Sequence, residues 1–206
     1  MIKHLTLPIE KEEIRKLTVG DTVLLSGVIL TARDMAHKWL VDTFITKTSP
    51  ASKEDIQIKD RIIAIAAKSL IYHCGPVVTK KADGKYQFTA AGPTTSLREE
   101  PYEAEVIEFL DLRGVIGKGG MGARTLNACQ AAPAVYFHAV GGAASLIAQC
   151  VTEVLDVYKL EFGIPEAIWT IRVKDLPVIV TMDSNGQSLH SQIRETSHSA
   201  LKKLIR

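Results

Sequence analysis

Cysteine is scarce in this sequence: Cys74, Cys129 and Cys150 are the only three in 206 residues, far apart and without a Cys-x-x-Cys pair. An odd, scattered set excludes a disulfide framework and fits thiols kept reduced. Long hydrophobic runs are absent, and nothing approaches the roughly 20 apolar residues that a membrane-spanning helix needs. Met1-Ile2-Lys3-His4-Leu5 lacks the basic-then-apolar layout of an export signal, so a cytoplasmic location is expected. Charge is not gathered by sign either. Twenty-five Lys and Arg stand against 23 Asp and Glu, net +2, with no basic stripe that would track a phosphate backbone. Nucleic acid and membrane are thus disfavoured as partners. Low-complexity segments and fixed-period repeats are also missing, which leaves a single domain over 1–206 as the expectation.

What is present is an ordinary globular composition, 46% hydrophobic and 23% charged, with strand and helix signals alternating. Residues 10–17 read as a short helix and 22–31 as the first strand. A helix follows over 33–40, so residues 31–34 form a strand-to-helix junction. The polar stretch 47–59 leads into a helix over 61–68, and 47–68 together reads as a peripheral insertion. Two β-like runs, 70–80 and 85–90, are joined through Asp83-Gly84, a dipeptide suited to a tight hairpin. Residues 101–110 read as an amphipathic helix, 114–117 and 134–137 as buried strands, 143–151 as a small-residue helix, 168–173 and 177–182 as two strands, and 190–205 as a closing helix. Alternation of this kind argues for an α/β domain.

Three junctions combine residue types that hold anions. Gly92-Pro93-Thr94-Thr95-Ser96-Leu97-Arg98 offers three hydroxyls and a guanidinium ahead of a helix; a helix cap explains one hydroxyl but not the whole set. Gly117-Lys118-Gly119-Gly120-Met121-Gly122 lets backbone amides and an ammonium converge at a helix start, or is a tight turn with a solvated Lys. It lacks the Gly-Lys-Ser/Thr ending of a P-loop and the dinucleotide fingerprint. Arg33 and Asp34 read either as a surface ion pair or as part of a site, and His37 as a partly buried helical histidine. Cys129 and Cys150 fall in apolar helical patterns, where a small buried thiol is the usual reading and cluster ligation the rarer one. Taken jointly, Arg33, Arg98 and Lys118 with a hydroxyl cluster suit a small polyanionic substrate.

The string Thr31-Ala32-Arg33-Asp34-Met35-Ala36-His37, with His73-Cys74-Gly75-Pro76, the 92–98 and 117–122 segments, Gly141-Gly142-Ala143-Ala144, Pro165-Glu166-Ala167-Ile168-Trp169 and Asp175-Leu176-Pro177, resembles the C-terminal domain of class I fumarases. It equally resembles the β subunit of tartrate dehydratases, in one order from about residue 20 to about residue 190. The resemblance implies a swivelling domain of layered β/β/α build. It also implies a larger α subunit that holds a 4Fe-4S cluster through its own cysteines, a heterotetrameric assembly and a small dicarboxylate substrate. It makes Thr94 the catalytic base, Arg98 and Lys118 carboxylate contacts, and Arg33 a further active-site arginine. The implied reaction is reversible hydration of fumarate to L-malate, with L(+)-tartrate dehydration as the alternative and a non-catalytic anion-binding module as a reading of another class. Two features depart from the family pattern: Glu99-Glu100 follow Arg98 where many relatives carry Met, and the stretch between Arg33 and Thr94 is longer.

Overall fold

The computed structural model describes residues 2–205. In chain order its elements are β1 (Ile2–Thr6), α1 (Lys11–Ile14), β2 (Thr22–Thr31), α2 (Asp34–Leu40), α3 (Lys53–Ala66), β3 (Leu70–Tyr72), β4 (Val77–Lys80), β5 (Tyr86–Ala90), α4 (Glu103–Phe109), β6 (Gly114–Gly117), α5 (Ala123–Ala131), β7 (Val135–His138), α6 (Ala144–Gln149), β8 (Val151–Tyr158), β9 (Ile168–Met182) and α7 (Leu189–Leu204). A π-helical turn, Val41–Ile45, continues α2.

Seven strands form one sheet in the order β1-β2-β3-β6-β7-β9-β8, and β9 also pairs with β2, so the sheet curls into a ring. Strands β1, β2, β3, β6 and β7 run parallel to their neighbours; β9 is antiparallel to β2, β7 and β8. Alternation along the strands sorts side chains between two cores. Leu70, Tyr72, Ile116, Val135 and Phe137 join one core with Leu25, Ile29 and Trp169. Ile71, Val115 and Tyr136 join the other with Ala36 and Leu40 of α2, Ile62 and Ala66 of α3, Val106 and Ile107 of α4, and Cys129 of α5. The α/β class and the layering of sheet and helix follow from that division.

Several boundaries differ from the sequence reading. β1 precedes the strand taken as first, and β8 lies where no strand was expected. The 70–80 run divides at His73–Pro76: β3 belongs to the ring, and only β4 pairs with β5 in the hairpin. The two strands expected over 168–182 are one strand, irregular at Asp175, whose φ is +52°. Its register against β2 shifts between Leu25 and Gly27, and a break of this kind imitates a strand end in the sequence. Helix α3 begins well before residue 61, at a capping box in which the Ser52 hydroxyl accepts from the Asp55 amide and the Asp55 carboxylate accepts from the Ser52 amide. Its inner face contributes Ile62 and Ala66 to the second core, while residues 47–54 stay exposed.

The hairpin is fastened to the ring by Trp169, which is fully buried and meets Tyr86 and Phe88 edge-on at centroid distances of 5.0 and 5.7 Å. Such pairs add about 0.5–1.5 kcal/mol each beyond burial. Its exit is held twice more: Tyr72 Oη donates to the Ala91 carbonyl at 2.5 Å, and the Ala91 amide donates to the Ala144 carbonyl at 2.9 Å. Residues 92–94 therefore leave the hairpin at a fixed place.

Candidate active site

The carboxyl ends of β2, β3, β6 and β7 lie side by side, because those strands are parallel neighbours in the ring. Ligand sites in α/β sheets gather at such ends. β2 delivers Arg33, β6 delivers Lys118, and β3 runs into His73-Cys74, which receives the Thr94 loop. The Thr94 amide donates to the His73 carbonyl at 2.7 Å, and Cys74 bridges Pro93. The Lys118 amide then donates to the Thr94 carbonyl at 3.2 Å, and the Ser96 amide to the Lys118 carbonyl at 3.0 Å.

Arg33 closes the group from the other side. A Cβ on Gly75 would lie 2.5 Å from Arg33 Nη1, so the guanidinium packs directly on the chain that follows β3. Its Nη2 pairs with Glu166 Oε1 at 3.2 Å, and Glu166 Oε2 accepts from the Met35 amide at 3.2 Å. The expected Arg33–Asp34 surface pair does not form: Asp34 pairs with Arg98. That contact draws Arg98, half of whose side chain is exposed, back toward α2. Lys118 enters no ion pair among the described residues, and a Cβ on Gly141 would lie 3.6 Å from its Cδ. The four expected site residues thus lie on neighbouring loops at one rim of the sheet, tied by short backbone links and by the Arg98–Asp34 contact. Cavities of about 600 Å³, bordered by Phe44, Pro50 and Lys59, and about 500 Å³, bordered by Pro8, Val28 and Tyr158, lie away from these residues.

The glycine loop after β6 behaves differently from the anion cradle read in the sequence. Gly119 and Gly120 take positive φ, +81° and +78°, but the amides at the start of α5 are occupied by the chain's own carboxylate. Glu100 Oε2 accepts from the Gly122 amide at 2.7 Å and the Thr125 hydroxyl at 2.7 Å, while Oε1 accepts from the Arg124 amide at 3.1 Å. Glu100 therefore anchors the loop and fills the start of α5, so the Lys118 ammonium is the loop's charged offer to a ligand.

Beneath the rim is a buried polar group that the sequence reading missed. Glu103 Oε2 lies 2.8 Å from His73 Nε2 and 3.2 Å from His37 Nε2, all three side chains being fully buried. Burial pushes the Glu103 carboxyl up, but His73 and His37 outweigh it and hold it down at about 2. Burial opposes charge on His37, yet Glu103 beside it raises its pKa; His73 is held down by burial. These groups have the mutual spacing of a metal site, within 4.8 Å, and are held together by ion-pair distances between the imidazoles and one carboxylate oxygen, Oε2; the other, Oε1, has no hydrogen-bond partner among the described residues. Glu99, one turn earlier and also buried, is pushed up to about 8 by burial and by Asp34 next to it.

The thiols do not form a cluster-binding set. Cys74 lies in the first core and Cys129 in the second; burial raises both, Cys74 to about 12, so thiolates are disfavoured. Cys150 is not helix core as expected, but caps the end of α6, half-buried.

A sequence model described as the fumarase C-terminus matches residues 2–193. The chain is 45% identical over 199 residues to a putative fumarate hydratase class I of Geobacillus stearothermophilus, covering 97% of this chain and 35% of that protein. It is 37% identical over 190 residues to the L(+)-tartrate dehydratase subunit beta of Escherichia coli (strain K12), covering 92% of this chain and 87% of that subunit. It is 36% identical over 197 residues to a putative L(+)-tartrate dehydratase subunit beta of Methanocaldococcus jannaschii, covering 95% and 94%. The chain spans about a third of the fumarase relative and nearly all of the two subunits. Matched almost end to end by the family model and by separate subunits at 36–37% identity, the chain belongs to the fumarase C-terminus family.

Proposed function

We propose that this chain forms the carboxylate-holding half of a hydro-lyase site, acting in the hydration of fumarate to L-malate. The observation that carries the reading is the rim itself: Thr94, Lys118 and Arg33 on three adjacent loops, with Arg98 beside them. Exposed apolar side chains neighbour the site residues in sequence, Met35 beside Asp34 and Leu97 beside Arg98, as suits a site completed by another protein surface. That surface belongs to a larger α subunit bearing a 4Fe-4S cluster, in a heterotetramer; the thiols here, two of them buried and all three raised by burial, leave the cluster to the partner.

A hydro-lyase must break a C–H bond next to a carboxylate and release hydroxide from the neighbouring carbon. When bound, the cluster supplies Lewis acidity toward the leaving hydroxyl. Lys118, Arg33 and Arg98 hold the two carboxylates and stabilise the charge that grows on one of them as the proton leaves. Thr94 Oγ1 takes that proton in dehydration and returns it in hydration. A threonine hydroxyl is a very weak acid, so it works as a base only where nearby cations and exclusion of water favour the alkoxide.

L(+)-tartrate is the second substrate candidate, favoured by the match in length to separate tartrate dehydratase β subunits. The deciding experiment measures fumarate hydration and L(+)-tartrate dehydration by the chain alone and with a cluster-bearing partner. Turnover only in the assembled enzyme is expected. Turnover by the chain alone overturns the two-part site, and dicarboxylate binding without turnover in the assembled state favours an anion-binding module.

A further inference from the structure

Three loops carry the candidate site, and a single chain of buried polar groups ends on all three. His37 Nδ1 lies 2.9 Å from the Arg33 carbonyl oxygen, and both His37 Nε2 and His73 Nε2 reach Glu103 Oε2. His73 Nδ1 lies 2.9 Å from Ser96 Oγ, and Tyr136 Oη donates to the same Ser96 oxygen at 2.9 Å. The Gly120 amide in turn reaches the Tyr136 oxygen. The arms thus end at Arg33, at the Thr94–Arg98 loop and at the Lys118–Gly122 loop. All five side chains are fully buried.

Donor and acceptor capacity, with the short distances to Glu103, points to where the protons sit. A carbonyl oxygen only accepts, so His37 Nδ1 donates to Arg33; a carboxylate only accepts, so His37 Nε2 carries a proton as well, making His37 an imidazolium. Tyr136 gives its hydrogen to Ser96, leaving the Ser96 hydroxyl to donate to His73 Nδ1. His73 is then neutral, with its proton on Nε2 facing Glu103. Glu103 Oε2 then faces both imidazole N–H groups, Ser96 Oγ accepts from one neighbour and donates to the other, and one imidazolium beside one carboxylate leaves no net charge, as burial demands. The floor of the crossing is Gly117, where a Cβ would lie 1.8 Å from Ser96 Oγ, 3.1 Å from Tyr136 Oη and 3.2 Å from His73 Nδ1. Only glycine leaves the relay room.

We propose that His37, Glu103, His73, Ser96 and Tyr136 are positioning residues, a relay that sets the separations of Arg33, Thr94 and Lys118 without touching substrate. The inference rests on those three acting in the reaction. A network that merely fills the core would act on folding alone; one that positions must act through the residues it places.

In the assembled enzyme, Ser96→Ala is expected to lower kcat about tenfold, but to cost less than about twofold on a Thr94→Ala background, because the hydroxyl acts through Thr94. Equal losses in both backgrounds, or an unchanged kcat in folded Ser96→Ala, overturn the proposal. Where Ser96→Ala fails to fold, Tyr136→Phe carries the same test against Lys118→Ala. Heteronuclear NMR of the imidazole nitrogens in the full chain reads the relay without catalysis. It is expected to find His37 doubly protonated and His73 neutral with its proton on Nε2, and a neutral His37, an Nδ1-protonated His73 or a bound metal ion lost in Glu103→Gln overturns it. An assembled enzyme that turns over neither fumarate nor tartrate sinks the functional reading while the NMR result still decides the relay. If Thr94→Ala and Arg98→Ala impair turnover and Ser96→Ala does not, the positioning role fails by itself.

Discussion

The amide of Lys118 donates to the carbonyl oxygen of Thr94 at 3.2 Å, so the candidate base and the unpaired cation share one backbone clamp. Their roles separate in kinetics even though their positions are linked. Thr94 acts only when the proton moves, so Thr94→Ala is expected to cut kcat by at least about 10²-fold with KM less affected. Thr94→Ser keeps the hydroxyl and should retain part of the rate. Arg98 holds a carboxylate in ground and transition state alike, and Arg98→Ala is expected to raise KM and lower kcat/KM by about 1.5–3 kcal/mol. Near-normal kcat in a cluster-replete Thr94→Ala enzyme would make Thr94 a turn residue and move the base elsewhere.

The Arg33–Glu166 pair poses a choice between orientation and charge. Both side chains are about four-fifths buried, and Glu166 also accepts from the Met35 amide, so it ties the guanidinium to the start of α2. Glu166→Gln removes the charge and keeps the shape. Freed of its partner, Arg33 attracts a carboxylate more strongly but is less well aimed, and in a partly solvated site aim outweighs charge. A rise in KM of about two- to tenfold, with a smaller change in kcat, is expected from steady-state kinetics. A fall in KM would show that charge dominates.

Much of this architecture was legible in the sequence because it is local. β2 and β6 begin and end where expected, since β-branched runs bounded by glycine or polar residues define them. The missed strands, β1 and β8, lie at the edges of the sheet, where Lys3, Glu153 and Asp156 blur the apolar pattern. The Arg98–Asp34 and Arg33–Glu166 pairs join residues 64 and 133 positions apart, and no periodicity reports on them. The relay did leave one local signal. Glu103 sits on the apolar stripe of α4, at helical spacing from Val106, Ile107 and Leu110, and a carboxylate on a core stripe needs buried partners. His37, on the buried face of α2 beside Ala36 and Leu40, was the matching half of it.

Replacing each cysteine by alanine tests whether any of them serves the cluster. Cys74 and Cys129 are buried in separate cores, with thiols raised by burial, and Cys150 caps α6. Iron content per assembled enzyme is expected to stay unchanged in all three variants. Stability falls most for the two buried sites, by about 1 kcal/mol for the lost sulfur. Loss of iron in two or more folded variants would assign the cluster to this chain.

Glu99 predicts an alkaline weakness with a definite window. Burial, then the Asp34 carboxylate beside it, pushes its pKa from the ordinary 4.5 to about 8. Between those values the native chain holds a proton that the unfolded chain has released, so stability falls as pH rises across the window and levels off above it. Glu103 has the opposite sign: held down at about 2, it contributes stability above 4.5 that is lost as pH falls toward 2. Glu99→Gln can still donate to Asp34 but does not titrate. Melting temperatures measured across the pH range should therefore show a flatter slope between 4.5 and about 8 in the variant, greater stability than the parent above 8, and an unchanged acid limb. Function should follow. Above pH 8 an ionised Glu99 adds a second negative charge beside Asp34, the carboxylate that already engages Arg98, and so strengthens the pull on the guanidinium against the substrate. KM should rise with pH in the parent enzyme and stay level in Glu99→Gln. Parallel pH profiles for the two would show that Glu99 ionises freely and has no hold on the site.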